Sequence, residues 1–299
     1  MKESYFGKAI RNISLIRKYN LHHILFKSMF YIKNLSIEET LRRQTNFYRE
    51  LKAPLSHVPA ISIFALPKSA NVSISLALAD TLKIAMLYDW ASSHDLTRNV
   101  ICVKPYAMRP RRGFIFCDHI PASELNLQTI KHFNIKSVAH IRDPRDAIVS
   151  WCKMNIQKYK VSGFASRFFT IDLMPHSNEV IIPSDKIFKA EFSKTLDWFL
   201  EYQYEGFVNW VRDWVIAKKN MGDLIHLTSF EEYINDHKSY FKKIYEFYAI
   251  QSTEIPPVYK KHFVKGISRN FEIEMTQEQR RFVTKMIPDI IYENTLIKP

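Results

Sequence analysis

The stretch from Ile61 to Tyr88 constrains the chain more than any other. Ile61-Ser62-Ile63-Phe64-Ala65-Leu66 has the length and apolar content of a buried strand, Pro67-Lys68-Ser69-Ala70-Asn71-Val72-Ser73 breaks it, and an apolar helix-like segment follows. A strand, a short lysine-bearing loop and a helix N-terminus present backbone N–H groups and a positive dipole end to a phosphate-like anion. An apolar strand followed by a helix occurs throughout α/β proteins, so the pattern points to an architecture and an anion, not to a reaction. It excludes the common nucleoside-triphosphatases: the paired glycines and the Gly-Lys-Ser/Thr ending are absent, and no glycine occurs between Gly7 and Gly113.

Downstream, strand-like and helix-like segments alternate. Strands are predicted at Asn99–Val103, Gly113–Asp118, Ser137–Arg142 and Asp223–Thr228, and helices over 122–132, 144–158 and 190–219. Alternation of this kind implies right-handed crossovers and a three-layer α/β fold, with a mostly parallel central sheet and helices on both faces. At 299 residues the chain is long enough for one large core, divided here into a helical N-terminal extension, 1–57, and an α/β domain, 58–299. Capping-box patterns open helices at Ser36, Ser229 and Thr276. Val161 to Lys189 has no steady period and reads as a loop for acceptor recognition.

The second informative stretch is Ser137-Val138-Ala139-His140-Ile141-Arg142-Asp143-Pro144-Arg145-Asp146-Ala147-Ile148-Val149-Ser150. A strand ends in arginine, Pro144 suits the first turn of a helix, and Ser150 lies two turns into it. With the first loop, this resembles the sulfotransferases that use 3'-phosphoadenosine-5'-phosphosulfate (PAPS). That family carries a Pro-Lys-Ser/Thr-Gly-Thr loop, and an Arg-Asn/Asp-Pro-Lys/Arg-Asp motif followed four residues on by serine. Ala70-Asn71 stand here where Gly-Thr is usual. His119-Ile120-Pro121 resembles the family's His-Leu-Pro, Phe230-Glu231-Glu232 its aromatic-Glu-Asp, and Lys265-Gly266 with Asn270-Phe271 its Arg-Lys-Gly and Asp-Trp, with Val264 replacing the arginine. The resemblance spans about residues 60 to 287. It implies a P-loop-like nucleotide-binding topology and PAPS as co-substrate, with no metal. It further implies that Lys68 neutralises the leaving phosphate, and that the N–H groups of Ser69, Ala70, Asn71, Val72 and Ser73 hold the 5' end. His119 would act as general base, with Arg142, Ser150, Lys265 and Gly266 binding the 3'-phosphate. Phe230 would face the adenine, or alternatively serve as a staple beneath its own helix. Taken apart from the resemblance, a histidine at a strand end is as readily a hydrogen-bonded structural residue.

A net charge of +13 fits an anionic substrate, nucleic acid, an anionic membrane or a solvated basic surface equally well. No nucleic-acid-binding motif accompanies it. Residues 1–33 hold seven Lys or Arg against one Glu, interleaved with apolar residues, and read either as a helix docked on the body or as a peripheral contact with anionic membrane. Cys102, Cys117 and Cys152 lack metal or disulfide spacing, and no apolar run approaches the roughly 20 residues of a spanning helix. These features predict a cytoplasmic enzyme that transfers a sulfuryl group to a hydroxyl or amine of a small-molecule, lipid or glycan acceptor, with no nucleic-acid partner. The alternative is a catalytically inactive nucleotide-binding protein of the same fold.

Overall fold

Four of the five strands predicted from the apolar runs, those beginning at Ile61, Gly113, Ser137 and Asp223, assemble into one parallel sheet in the computed structural model, which describes residues 58–87, 92–95, 98–101, 106, 113–162, 184–258 and 269–299. The expected N-terminal extension, most of the expected acceptor loop, Cys102, Lys265 and Gly266 lie outside the described residues.

In chain order the elements are β1 (Ile61–Ala65), α1 (Asn71–Leu82), β2 (Ala85–Leu87), β3 (Ser92–Asp95), β4 (Arg98–Ile101), β5 (Phe114–Asp118), α2 (Glu124–His132), β6 (Ser137–Ile141) and α3 (Pro144–Ser162). There follow α4 (Asp185–Lys189), α5 (Phe192–Tyr202), α6 (Tyr204–Met221), β7 (Ile225–Ser229), α7 (Phe230–Asn235), α8 (His237–Tyr248), α9 (Asn270–Glu274), α10 (Gln277–Met286) and α11 (Asp289–Asn294). The main sheet runs β2-β5-β1-β6-β7, and every pairing in it is parallel. Register places Phe64 beside both Asp118 and Ala139, and Ala65 beside His140.

All five residues of β1 and of β6 are buried, as a parallel strand covered on both faces requires. Alternation sorts their side chains. Ile61, Ile63, Ala65, Ile115 and Val138 pack with α1 and α8 on one face. Phe64, Phe114, Phe116, Ala139 and Ile141 pack with α3, α5 and α6 on the other. Phe64 stacks on Trp214 at 5.4 Å and meets Phe116 edge-on at 5.6 Å. Burying each such ring stabilises the fold by roughly 1.5–3 kcal/mol.

The layering also locates the functional end of the sheet. β1 hands the chain to α1 on one face, whereas its neighbour β6 hands it to α3 on the opposite face. Two adjacent parallel strands whose connections diverge leave a crevice beyond their carboxyl ends, where ligands of open α/β sheets bind. Lys68 follows β1, His119 follows β5, Arg142 follows β6 and Phe230 follows β7, so all four side chains stem from that edge.

Several element boundaries differ from expectation. The helix-like segment after the lysine loop stops at Leu82, where Lys83 turns left-handed at φ 52°, and Ala85–Leu87 then pairs with β5 as an edge strand. The strand expected at Asn99–Val103 is β4, Arg98–Ile101, which pairs antiparallel with β3 outside the main sheet. The helix expected over 144–158 continues to Ser162, and the one over 190–219 is two helices broken at Gln203, whose side chain accepts a bond from Trp151 Nε1 at 2.8 Å. Capping boxes at Ser229 and Thr276 form as read. Among the described residues no helix is long and apolar enough to cross a membrane.

Candidate active site

The loop between β1 and α1 is held in an unusual backbone conformation. Lys68 (φ 69°) and Ala70 (φ 68°) both adopt left-handed values, which cost a residue with a Cβ roughly 1–2 kcal/mol each. Strain of this kind persists only where neighbouring groups over-determine it. Here Ser69 Oγ and the Ser69 N–H both donate to the Leu66 carbonyl, at 2.6 and 3.3 Å, closing a tight turn. Arg142 Nη1 donates to the Lys68 carbonyl at 2.7 Å, and His140 Nε2 lies 2.8 Å from the Ser69 carbonyl. Asn71 Oδ1 accepts from the Val72 N–H at 2.9 Å at the opening of α1, a helix without an acidic residue in its first turn.

Cations gather around this loop. The Lys68 ammonium, half-buried, lies 3.6 Å from Met154 Sδ on α3. Burial and then the Arg142 guanidinium push the Lys68 pKa below the ordinary lysine value. Arg142 is only 5% exposed, lies 4.2 Å over the Phe230 ring, and has no acceptor for its Nε among the described residues. Its pKa is lowered by burial, with Asp146, Glu231 and Asp143 opposing the shift in that order. Ser150 precedes Met154 by one helical turn on α3 and Lys158 follows it by one, so the three share a stripe. Lys158 has a pKa lowered by burial and then by Lys68, which places a third cation in the cluster. Three converging cations, of which Arg142 is buried with its Nε unmatched among the described residues, suit a polyanionic ligand.

His119 stands at the end of β5 with Nδ1 2.7 Å from the Ala65 carbonyl, the last residue of β1. A carbonyl oxygen only accepts, so Nδ1 carries the proton of the neutral ring and Nε2 carries the lone pair. That is the tautomer a general base needs. His119 also donates its backbone N–H to Asp118 Oδ1 at 2.7 Å.

The remaining residues of the Arg142 motif are scaffold. Asp143 accepts from Arg145 Nε and Nη2 at 3.0 and 2.7 Å, and accepts the Arg145 N–H at the start of α3. Asp146 accepts the Arg269 and Phe271 N–H groups at 2.7 and 3.0 Å, anchoring the chain just past Lys265 and Gly266. Glu231 Oε1 accepts from the Asp143 N–H at 3.2 Å, while burial drives its carboxyl up to about 7.

The expected residues therefore fall into distinct groups. Lys68, Ser69, Ala70, Asn71, Arg142 and Phe230 adjoin one another, with Val72 and Ser73 in the first turn of α1 and Ser150 on the Met154 stripe. Phe230, expected to face the adenine or to staple its own helix, is 2% exposed and lies beneath the Arg142 guanidinium, which rests on its ring. Lys158 and His140 went unmarked in the sequence. Extending the Ser150 position by helical spacing finds Lys158, and strand alternation from Arg142 finds His140.

A fold of this order, with an anion-seeking crevice at the β1/β6 divide, defines an α/β protein of the nucleotide-binding kind. The family model described as a sulfotransferase domain matches residues 103–288, and the chain belongs to that family. It is a sulfotransferase. The matched span begins after the Lys68 loop, whose place in the site rests on its pairing with Arg142, His140 and Met154. No curated protein matches the chain in sequence. Among solved structures, mouse sulfotransferase SULT7A1 complexed with PAP is similar at 16% identity, covering 76% of this chain and 82% of that one with a TM-score of 0.51, a likeness of fold. A sulfotransferase from Alicyclobacillus acidocaldarius aligns at 11% identity over 79% of this chain and 94% of its own, TM-score 0.48. The sulfotransferase domain from the curacin biosynthetic pathway aligns at 10% identity over 78% of this chain and 100% of its own, TM-score 0.39.

Proposed function

We propose that this sulfotransferase takes the sulfuryl group from PAPS and delivers it to a hydroxyl or amine of a small-molecule, lipid or glycan acceptor. The observation that carries this reading is the pairing of opposite roles at neighbouring strand ends. A partly desolvated Lys68 follows β1, and His119, tied by Nδ1–H to the last carbonyl of β1, carries its ring lone pair on Nε2 at the same edge.

Sulfuryl transfer passes through a loose transition state, so the protein mainly aligns the groups and neutralises charge on the leaving phosphate. Lys68 supplies a compact charge for that phosphate, and the loop from Ser69 to Ser73 with the α1 N-terminus holds the same end of the donor, the Ser69 and Val72 N–H groups first leaving or sharing their bonds to the Leu66 carbonyl and Asn71 Oδ1. His119 Nε2 accepts the acceptor proton as the new S–O or S–N bond forms. Arg142, Ser150, Lys265 and Gly266 bind the 3'-phosphate. This arrangement assigns no role to a metal.

The test begins with binding. The protein is expected to hold 3',5'-adenosine bisphosphate far more tightly than AMP by calorimetry, and Arg142→Ala to weaken the bisphosphate about tenfold or more, since a charge-assisted phosphate bond contributes roughly 1.5–3 kcal/mol. Equal affinities for the two nucleotides would remove PAPS from the reading. Tight binding without transfer from radiolabelled PAPS to any acceptor in cell extracts would instead favour an inactive nucleotide-binding protein.

A further inference from the structure

We propose that His140 is a positioning residue for the donor loop, clamping the Ser69–Ala70 peptide in the orientation that aims an N–H, rather than a carbonyl, at the donor. The inference rests on the assignment of that loop to the 5' end of PAPS.

His140 is fully buried in the middle of the sheet. Its Nε2 lies 2.8 Å from the Ser69 carbonyl, and its Nδ1 lies 3.0 Å from both Thr228 Oγ1 and the Tyr240 hydroxyl. A carbonyl accepts, so Nε2 carries the proton and Nδ1 accepts from one of the two hydroxyls. This tautomer is the reverse of the one at His119. Tyr240 also packs edge-on against the imidazole, with ring centroids 5.5 Å apart, so the ring is held by contact as well as by hydrogen bonds. The backbone carbonyl of the same residue accepts the Leu66 N–H at 3.0 Å, tying strand and loop together at a second point.

The reason for a clamp lies in Ala70. Rotating one trans peptide by half a turn changes ψ of the residue before it and φ of the residue after it, and exchanges the directions of its C=O and N–H. For the Ser69–Ala70 peptide, such a flip would take Ala70 from φ 68° to an ordinary negative value. The intrinsic preference of alanine therefore favours the flipped peptide. That form would break the His140 bond and swing the Ser69 carbonyl dipole to where the Ala70 N–H now points, opposing an anion. Glycine at position 70 would have little such bias. His140 in β6 and Arg142 just past its end thus hold two successive loop carbonyls, of Ser69 and Lys68.

The test is a double-mutant cycle on the full chain, read as 3',5'-adenosine bisphosphate affinity by calorimetry, with thermal melts as a check on folding. His140→Leu is expected to weaken binding at least fivefold. His140→Gln, whose Nε2 reaches the same carbonyl, should recover most of the loss, and so should Ala70→Gly combined with His140→Leu, because glycine no longer drives the flip. Turnover should show the defect mainly in KM for PAPS. If His140→Leu does not fold, His140→Asn, which is too short to reach Ser69, takes its place in the cycle. Wild-type affinity in the folded leucine or asparagine variant overturns the clamp while leaving the PAPS assignment standing. A loss that neither glutamine nor Ala70→Gly restores overturns it too, since that is the behaviour of a merely structural residue. A wild-type protein that does not distinguish the bisphosphate from AMP takes down the PAPS assignment and the clamp with it.

Discussion

Replacing His119 by asparagine separates its two functions. The asparagine amide nitrogen occupies the place of Nδ1, two bonds beyond Cβ, so the 2.7 Å bond to the Ala65 carbonyl survives while the basic Nε2 is lost. Because the carbonyl keeps its donor, stability should change by less than about 0.5 kcal/mol, and bisphosphate affinity should stay within about twofold. Loss of a general base removes a factor of roughly 10²–10⁴ in rate, which is about 2.7–5.4 kcal/mol on the barrier. His119→Leu should show the same loss of rate and, in addition, leave the Ala65 carbonyl without this donor, at about 1–3 kcal/mol. For a chain of this size that lowers the melting temperature by roughly 2–4 °C per kcal/mol. The assay is single-turnover transfer from radiolabelled PAPS, using an acceptor found by screening cell extracts, beside thermal melts of both variants. Turnover by His119→Asn within about threefold of wild type would refute the assignment of the base and return His119 to a structural role under Ala65.

Three further outcomes are expected. Lys158→Met removes a partly exposed cation beside Lys68, and should raise KM for PAPS several-fold, about 1 kcal/mol; an unchanged KM would place Lys158 outside the donor site. Ala70→Gly should raise urea stability by about 0.5–1 kcal/mol, the left-handed strain relieved less the extra chain entropy of glycine, while Ala70→Val should lower it; a loss of stability in the glycine variant would contradict the strain. Burial lowers the His140 pKa to about 4, with the Ser69 carbonyl and Glu232 raising it and Arg142 lowering it further, so the native ring stays neutral while the unfolded one takes up a proton. Stability from this residue is complete above about pH 6.5 and is lost as pH falls toward 4, on the order of 3 kcal/mol in all, and His140→Gln should flatten that part of the urea-stability profile.

The expected strands, the capping boxes and the Arg142 motif could be read directly because each is a local signal. Apolar runs bounded by breakers mark buried strands, and Ser229 with Glu232 or Thr276 with Gln279 needs only a four-residue window. Ala85–Leu87 was hidden because three apolar residues after a helix continue its pattern; only their pairing with Phe114–Phe116 makes them a strand.

The linear chain by itself determined that a lysine-bearing loop follows a buried strand, that an arginine ends another, and that both belong to a parallel α/β fold with an appetite for anions. Tertiary structure alone decided which groups share a site. It set β1 between β5 and β6, which brings Lys68, His119 and Arg142 from 74 residues of sequence separation to one edge of the sheet. Packing likewise turned Phe230 beneath Arg142, brought the Lys68 ammonium against Met154 of α3, and put a fully buried His140 under the Ser69 carbonyl. Hydrogen-bond tautomers and desolvation arise only from contacts between segments distant in sequence, and no local window contains them. For that reason two histidines alike as letters, His119 and His140, are opposite tautomers, one donating from Nδ1 to the Ala65 carbonyl and the other from Nε2 to the Ser69 carbonyl.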